Sequence, residues 1–255
     1  MKNYFAKKQK IKPSSIRSTV NTEAFGRLTY RGVLIDFGET LAYVDEVAFR
    51  EYEKALAVAL KKCGYKRRLR DVDCALASVY MESSKGELRT PAEFWNLMLA
   101  NLKIPEQSEL PEILQAIRNN HEITMWKLYD NVPATLSTLH KKYKMALVSN
   151  CAVGTDKLIN SLGLAGFFDC MILSFQIGVR KPDKSMYLEA LRCLRLEANE
   201  CVFIADEISD LEGAREMELK TVLVRQGSNT FQDAKDMNFK PDFQIDYISE
   251  VTKIL

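Results

Sequence analysis

The amino-acid sequence predicts an α/β fold, a doubly wound, Rossmann-like parallel sheet with an all-helical insertion after its first strand. Two observations predict the sheet. From residue 144 onward, short apolar runs alternate with segments of helical periodicity. These runs are apolar on both faces, which is typical of parallel strands covered by helices on two sides. A similar run, "GVLID", stands apart near the start, so the predicted strands are residues 32–36, 145–149, 170–174, 201–205 and 221–224.

The segment that follows the first strand shows only helical patterns. One amphipathic helix is predicted over residues 46–63, and the glycine at position 64 is expected to end it. "TPAE" at residues 90–93 is a capping box with proline at the first helical position, and a third pattern runs from Ile113 toward Trp126. The chain is predicted to have three parts. Residues 1–28 form a basic N-terminal extension, residues 29–43 and 131–255 form an α/β core, and residues 44–130 form a helical cap.

The composition is that of an ordinary globular protein. Of 255 residues, 47% are hydrophobic and 27% are charged, and no apolar run approaches the roughly 18 residues that a membrane span needs. The net charge of +2 indicates no partner, although residues 1–28 carry seven basic residues and one glutamate, a net +6. The extension lacks the apolar region of a signal peptide. We therefore expect a cytoplasmic monomer or homodimer with no clear nucleic-acid or membrane partner.

The six cysteines are expected to be free thiols. They form no C-x-x-C pair, and several lie in apolar runs, as buried thiols do. This distribution favours a reducing cytoplasm over a disulfide framework or a zinc site. The chain has only two histidines, His121 and His140, which nearly excludes histidine-based metal or triad chemistry.

Polar side chains follow three of the predicted strands, at the points where ligands bind in open α/β sheets. The set also includes a lysine before a later helix, and its members are Asp36, Ser149, Asn150, Lys181, Asp206 and Asp210. Three carboxylates stay ionised side by side only if a cation neutralises them. Oxygen ligands without histidine or thiolate select Mg²⁺, and lysine, serine and loop amides suit phosphate oxygens. Because no serine–histidine pair is present, a carboxylate is the best available nucleophile.

Four sequence segments resemble the motifs of the haloacid dehalogenase superfamily, in the order of that family. "LIDFGETLA" is similar to motif I, "MALVSN" to motif II, "VRKPDKSMYLEAL" to motif III and "CVFIADEISDLEGA" to motif IV. Together they cover roughly residues 30–230. The resemblance implies a doubly wound sheet with a helical cap that closes over the site and selects the substrate.

The resemblance also implies Mg²⁺-dependent phosphoryl transfer from a small phosphorylated metabolite. Asp36 would attack phosphorus to form an aspartyl-phosphate, which water then cleaves. The catalytic residues would be Asp36, Lys181, Thr40 and Asp210. The phosphate would be bound by Ser149, Asn150 and Lys181, and the metal by Asp36, the backbone carbonyl of Gly38 and Asp206.

Gly38 departs from the family pattern, in which a second aspartate protonates the leaving oxygen and later activates water. Loss of a general acid–base group typically slows a reaction by about 10²–10⁴-fold. The protein would then hydrolyse phosphates with good leaving groups, such as acyl phosphates, or use Glu39 as a substitute acid. Two alternatives remain open: a 2-haloacid dehalogenase-like hydrolase and a catalytically weak binding or regulatory protein. The dehalogenase alternative would leave Asp206 without a neutralising cation beside Asp36.

Overall fold

A computed structural model describes residues 30–105, 109–226 and 239–255. The predicted basic extension, residues 1–28, lies outside the described residues. Among the described helices, none is both long and apolar enough to cross a membrane.

The core is a six-stranded parallel sheet, which confirms the predicted fold class. Its strands are β1 (Gly32–Ile35), β4 (Lys144–Ser149), β5 (Cys170–Leu173), β6 (Cys201–Ala205), β7 (Lys220–Val224) and β8 (Phe243–Ile245). The strand order is β5-β4-β1-β6-β7-β8, and every neighbouring pair is parallel. Five of these strands are the predicted ones. The sixth, β8, was not predicted, because three residues at a sheet edge carry too little apolar periodicity.

Helices cover both faces of this sheet. They are α5 (Val132–His140), α6 (Thr155–Ser161), α7 (Ser174–Ile177), α8 (Lys184–Leu194) and α9 (Ile208–Glu216), with 3₁₀ turns at Ala165–Phe167, Ala198–Glu200 and Ile248–Lys253. In β1, Val33 and Ile35 face one hydrophobic cluster, which includes residues of α5 and α6. Leu34 faces the other cluster, with residues of α8 and α9. The alternation follows from the two-residue period of a strand.

Four helices lie between β1 and α5 and bury a hydrophobic cluster of their own. They are α1 (Glu46–Lys62), α2 (Leu69–Ser84), α3 (Pro91–Asn101) and α4 (Leu110–Met125), and we call them the insertion. Fully buried aromatic and apolar side chains, among them Tyr52, Phe94 and Trp95, form this cluster. The predicted capping box is present, since the Thr90 side chain accepts from the Glu93 amide while the Glu93 side chain accepts from Thr90.

The insertion also contains β structure that the sequence analysis did not predict. The segments that enter and leave it pair as an antiparallel ribbon of β2 (Ala42–Val44) and β3 (Trp126–Leu128). An all-helical insertion was therefore too simple a prediction. Strands of three residues are too short to show a recognisable period. These two form because the segment that enters the insertion lies beside the segment that leaves it and pairs with it.

The expectation of six free thiols is also wrong. Cys170 at the start of β5 forms a disulfide with Cys193 near the end of α8. The sequence separation of 23 residues hides this pairing, which arises because α8 packs against β5 and brings the two Cα atoms to 6.6 Å. Cys63, Cys74, Cys151 and Cys201 are free.

Candidate active site

The predicted site lies where three neighbouring strands end. The β1 strand lies between β4 and β6, and Ile35 at its end is level with Leu147 and Ile204. The next residue, Asp36, donates its backbone N–H to the Ile204 carbonyl at 2.9 Å. This arrangement places Asp36, Ser149 and Asp206 at one edge of the sheet, at the position where strand order reverses. All three side chains are buried.

Lys181 joins two of the predicted carboxylates. Its Nζ lies 2.8 Å from Asp36 Oδ1 and 2.8 Å from Asp210 Oδ2, and the lysine side chain is fully buried. Burial alone lowers the pKa of a lysine, but Asp210 and Asp36 outweigh it and raise the pKa of Lys181 above its ordinary value. The ammonium therefore stays charged and holds the candidate nucleophile in place.

Asp206 receives much weaker support from the protein. Thr40 donates its hydroxyl to Asp206 Oδ1 at 3.2 Å, whereas Oδ2 is buried without a hydrogen-bond partner among the described residues. Burial raises the pKa of Asp206 well above its ordinary value, and the nearby Asp36 and Glu39 raise it further. A buried carboxylate oxygen without a partner indicates that something else is needed to neutralise it.

A divalent cation fits this set of groups. Three carboxylates, Asp36, Asp206 and Asp210, face one ammonium, so the charge is −3 + 1 = −2. The turn after β1 contains the predicted third ligand oxygen, the Gly38 carbonyl. The bridge between Gly38 and Ala42 is formed by the Phe37 carbonyl and the Glu39 amide, so it does not use the Gly38 carbonyl oxygen. Within the described ranges, no group of three or more His, Cys, Asp or Glu side chains is arranged to hold a metal. The predicted ligands are instead two carboxylates and one backbone carbonyl.

The side chain of Asn150, which was predicted to bind phosphate, contacts the backbone of Lys181. Its Oδ1 accepts from the Lys181 backbone N–H at 2.7 Å, and its Nδ2 donates to the Lys181 carbonyl at 3.1 Å. Both polar atoms are therefore used to hold the lysine loop, which makes Asn150 a positioning residue. Ser149 is the last residue of β4 and is 1% exposed, and its predicted phosphate contact stays a prediction.

The turn that holds Gly38 also explains the orientation of Glu39. Glu39 has a φ of 56°, and its Oε2 accepts the Tyr129 hydroxyl at 2.9 Å. Tyr129 follows β3 and donates its backbone N–H to the Leu41 carbonyl at 3.0 Å. The side chain of Glu39 is therefore held by the segment that leaves the insertion, a contact that the sequence did not reveal.

Two further residues, Gly213 and Tyr187, help to position the lysine loop and Asp210 and were missed in the sequence. A Cβ at Gly213 in α9 would lie 2.7 Å from Pro182 Cβ and 2.9 Å from its carbonyl oxygen, so only glycine lets the loop approach α9 this closely. Tyr187 in α8 donates its hydroxyl to the Asp210 carbonyl at 2.7 Å. A glycine inside the helical pattern after Asp210 was the only available signal.

Comparison with known proteins agrees with this fold. The family model of haloacid dehalogenase-like hydrolases matches residues 90–224, just over half of the 255 residues. The chain therefore belongs to the haloacid dehalogenase-like hydrolase family.

Individual relatives include both phosphatases and dehalogenases. The chain is 27% identical to a glyceraldehyde 3-phosphate phosphatase of Methanopyrus kandleri over 164 residues, which are 63% of this chain and 70% of the relative. It is 27% identical to a phosphoglycolate phosphatase of Aquifex aeolicus over 156 residues, 60% of this chain and 71% of the relative. A crystal structure of a 2-haloacid dehalogenase from Pseudomonas syringae pv. Tomato DC3000 matches with a TM-score of 0.70 and 21% identity, over 88% of this chain and 97% of that chain. That last similarity shows a common fold alone.

Proposed function

We propose that this protein is a Mg²⁺-dependent phosphatase that transfers the phosphoryl group of a small phosphorylated metabolite to Asp36. The observation that carries the proposal is the arrangement of Lys181 between Asp36 and Asp210, next to the unpartnered Oδ2 of Asp206. The phosphatase names of the relatives from Methanopyrus kandleri and Aquifex aeolicus support it. We further propose that residues 44–130 act as the cap that selects the substrate.

The metal would be held by the Asp36 and Asp206 carboxylates and the Gly38 carbonyl. When bound, Mg²⁺ supplies positive charge that neutralises phosphate oxygens and the carboxylates around them. Thr40 orients Asp206 through its hydrogen bond to Oδ1, so that Oδ2 remains available.

Asp36 supplies the nucleophile. Lys181 contacts Oδ1, so the second carboxylate oxygen forms the new bond to phosphorus while the bond from phosphorus to the leaving oxygen breaks. The leaving oxygen departs with the bonding electrons. Water then attacks phosphorus and the bond from phosphorus to the Asp36 oxygen breaks, so that inorganic phosphate leaves with both protons of the water and the Asp36 carboxylate is restored. The Lys181 ammonium stabilises the charge on the transferred group at both stages.

Gly38 provides no side chain to protonate the leaving oxygen. The proposed substrates are therefore phosphates whose leaving group is stable as an anion, such as acyl phosphates. Glu39 is held by Tyr129, which argues against its use as the replacement acid. Asn150 keeps Lys181 in register with Asp36 through its two backbone contacts.

The test is turnover of p-nitrophenyl phosphate and acetyl phosphate with Mg²⁺, with chelator, and in Asp36→Asn. We expect turnover that needs the metal and falls by about 10⁴-fold or more in the variant. Asp246→Asn, the same change at an exposed position after β8, is the control and should keep full activity.

Two results would contradict the proposal. Release of halide from fluoroacetate or 2-chloropropionate without metal would show a dehalogenase, whose halide leaves without protonation. Tight metabolite binding without turnover of either phosphate would show a binding protein.

If the turnover test succeeds, a screen of phosphorylated metabolites identifies the substrate.

A further inference from the structure

A recess of about 420 Å³ opens at the edge of the sheet opposite the candidate active site. It lies at the amino ends of β1 and β4 and beside the end of α5, and its lining residues are Tyr30, Arg31, His140, Lys141, Lys142, Tyr143, Lys144, Asp169 and Leu196. Arg31 and Asp36 are five residues apart along an extended strand, which corresponds to about 16 Å. A ligand in this recess would therefore not touch the catalytic carboxylates.

The lining of the recess is strongly basic. Four of its side chains are basic and one, Asp169, is acidic, so the formal lining charge is +4 − 1 = +3 with His140 counted as neutral. Arg31 is paired with Glu200 at 2.6 Å, just outside the lining, and the Lys144 Nζ donates to the Leu194 carbonyl at 2.7 Å. In the part of the chain that the structure describes, Lys141 and Lys142 have no ion pair.

Helix stabilisation explains only part of this charge. Lys141 and Lys142 directly follow α5, where cations interact favourably with the helix dipole. Arg31 and Lys144 are different, because Lys144 is level with Gly32 on the adjacent strand and donates its backbone N–H to the Arg31 carbonyl. Two pairs of basic residues from separate elements therefore line one recess, with only Asp169 in the lining and Glu200 beside it to oppose their charge.

The walls of the recess are also of a kind that binds small ligands. Tyr30 and Tyr143 present partly buried rings, and the Tyr143 hydroxyl is held by the Leu255 carbonyl at 2.6 Å. A volume of about 420 Å³ lies in the range of small-molecule sites, roughly 300–1,000 Å³. Lysine and arginine side chains, whose backbones here lie in or next to strands and a helix, bind phosphate oxygens well.

We propose that this recess is a second binding site, which takes a small phosphorylated anion. With Glu200 counted beside Arg31, the formal charge around the recess is +4 − 2 = +2, which a phosphate group of charge about −2 balances. The site is separate from the catalytic centre and does not depend on which substrate that centre uses.

The experiment measures binding of inorganic tripolyphosphate by calorimetry at about 0.15 M salt, where weak surface attraction is screened. The full chain carries Asp36→Asn so that the probe is not consumed. The test variant adds Lys141→Glu with Lys142→Glu, and the control adds Lys61→Glu with Lys62→Glu. The control pair is also two consecutive exposed lysines at the end of a helix, α1, but lines no part of the recess.

We expect the test variant to bind tripolyphosphate about tenfold or more weakly and the control to stay within about twofold of the parent. With Asp36 restored, both should turn over p-nitrophenyl phosphate at the parental rate. If the charge reversal prevents folding, Lys141→Gln with Lys142→Gln replaces it. No binding by the parent, equal losses in both variants, or equally tight binding of citrate would each overturn the proposal.

Discussion

Gly38 decides which leaving groups the proposed active site accepts. Its φ is outside the left-handed region, and a Cβ built on it meets no atom within 4 Å. The position is therefore able to hold a larger side chain without strain. The backbone therefore does not require glycine at this position, and the missing second acid affects the reaction rather than the fold.

Replacing this glycine tests what the site lacks. We expect Gly38→Asp to raise turnover of alkyl phosphates, whose leaving oxygen needs a proton, by about 10²-fold or more. Turnover of acetyl phosphate should change by less than about threefold, because its leaving group needs little protonation. The measurement is kcat/KM for both substrates, with Gly38→Asn as the control that adds a similar volume without an acid. An equal gain on both substrates would contradict this account.

Helices α1 and α2 are joined by a pair of acids, the buried Glu53 and the partly buried Asp73. Glu53 Oε1 and Asp73 Oδ1 are both buried without a hydrogen-bond partner among the described residues, while Arg50 contacts Glu53 Oε2 at 2.8 Å. Burial and the neighbouring Asp73 together raise the pKa of Glu53 from 4.5 to about 7, against the opposing effect of Arg50. A proton on Glu53 allows it to donate to Asp73, so the protonated form is the one that suits the folded insertion.

This pair predicts a specific dependence of stability on pH. Because the pKa of Glu53 is higher in the folded state, its contribution is complete below pH 4.5 and is lost as the pH rises through about 7. We expect Glu53→Gln, which keeps a donor toward Asp73, to be about 1 kcal/mol more stable than the parent at pH 8. Near pH 4 the two should be equal.

The measurement is the free energy of unfolding in urea from pH 4 to pH 8. Glu51→Gln is the control, since Glu51 lies on the same helix but is exposed and paired only with Lys54. A parallel pH dependence in the parent and in Glu53→Gln would show that Glu53 is ionised in the folded protein.

The insertion and the core are closely docked next to the candidate active site. A Cβ on Gly86, which follows α2, would lie 2.7 Å from the Gly178 carbonyl carbon and 2.7 Å from the Ser174 carbonyl oxygen. Ser83 accepts the Val153 backbone N–H at 3.0 Å, and Ala152 belongs to the hydrophobic cluster of the insertion. The loop after β4, which carries Asn150, is thus held by both parts of the molecule.

A glycine pair allows this docking to be tested. Gly86 and Gly64 have φ values of 88° and 89°, but only Gly86 contacts the core, since a Cβ on Gly64 meets nothing within 4 Å. Both alanine variants carry the same backbone strain, about 1–2 kcal/mol. We expect Gly86→Ala to lose about 1–3 kcal/mol more in urea unfolding, because its methyl group meets backbone. It should also raise the KM for p-nitrophenyl phosphate, whereas Gly64→Ala should leave the KM unchanged. Identical behaviour of the two variants would exclude a functional contact here.

The positions of Asp36, Ser149 and Asp206 were predictable because each ends a strand of strongly apolar residues. Such runs are local signals, and parallel strands in one sheet necessarily end at a common edge. The same reasoning predicted the helical character of the insertion. It could not detect the β2–β3 ribbon or β8, since three-residue strands owe their existence to a partner strand.

The amino-acid sequence was therefore sufficient to locate the main strands along the chain and to identify the types of polar side chain at their ends. Only the folded chain determines which groups pair: Lys181 with two acids, Asn150 with the lysine backbone, Glu39 with Tyr129, and Asp206 with a single hydroxyl. It also decides that Arg31 and Lys141–Lys144 border one recess. The physical reason is range. Periodicity reports how one segment meets its surroundings, whereas hydrogen bonds and charge pairs depend on atoms that approach within a few ångströms from segments far apart in the chain.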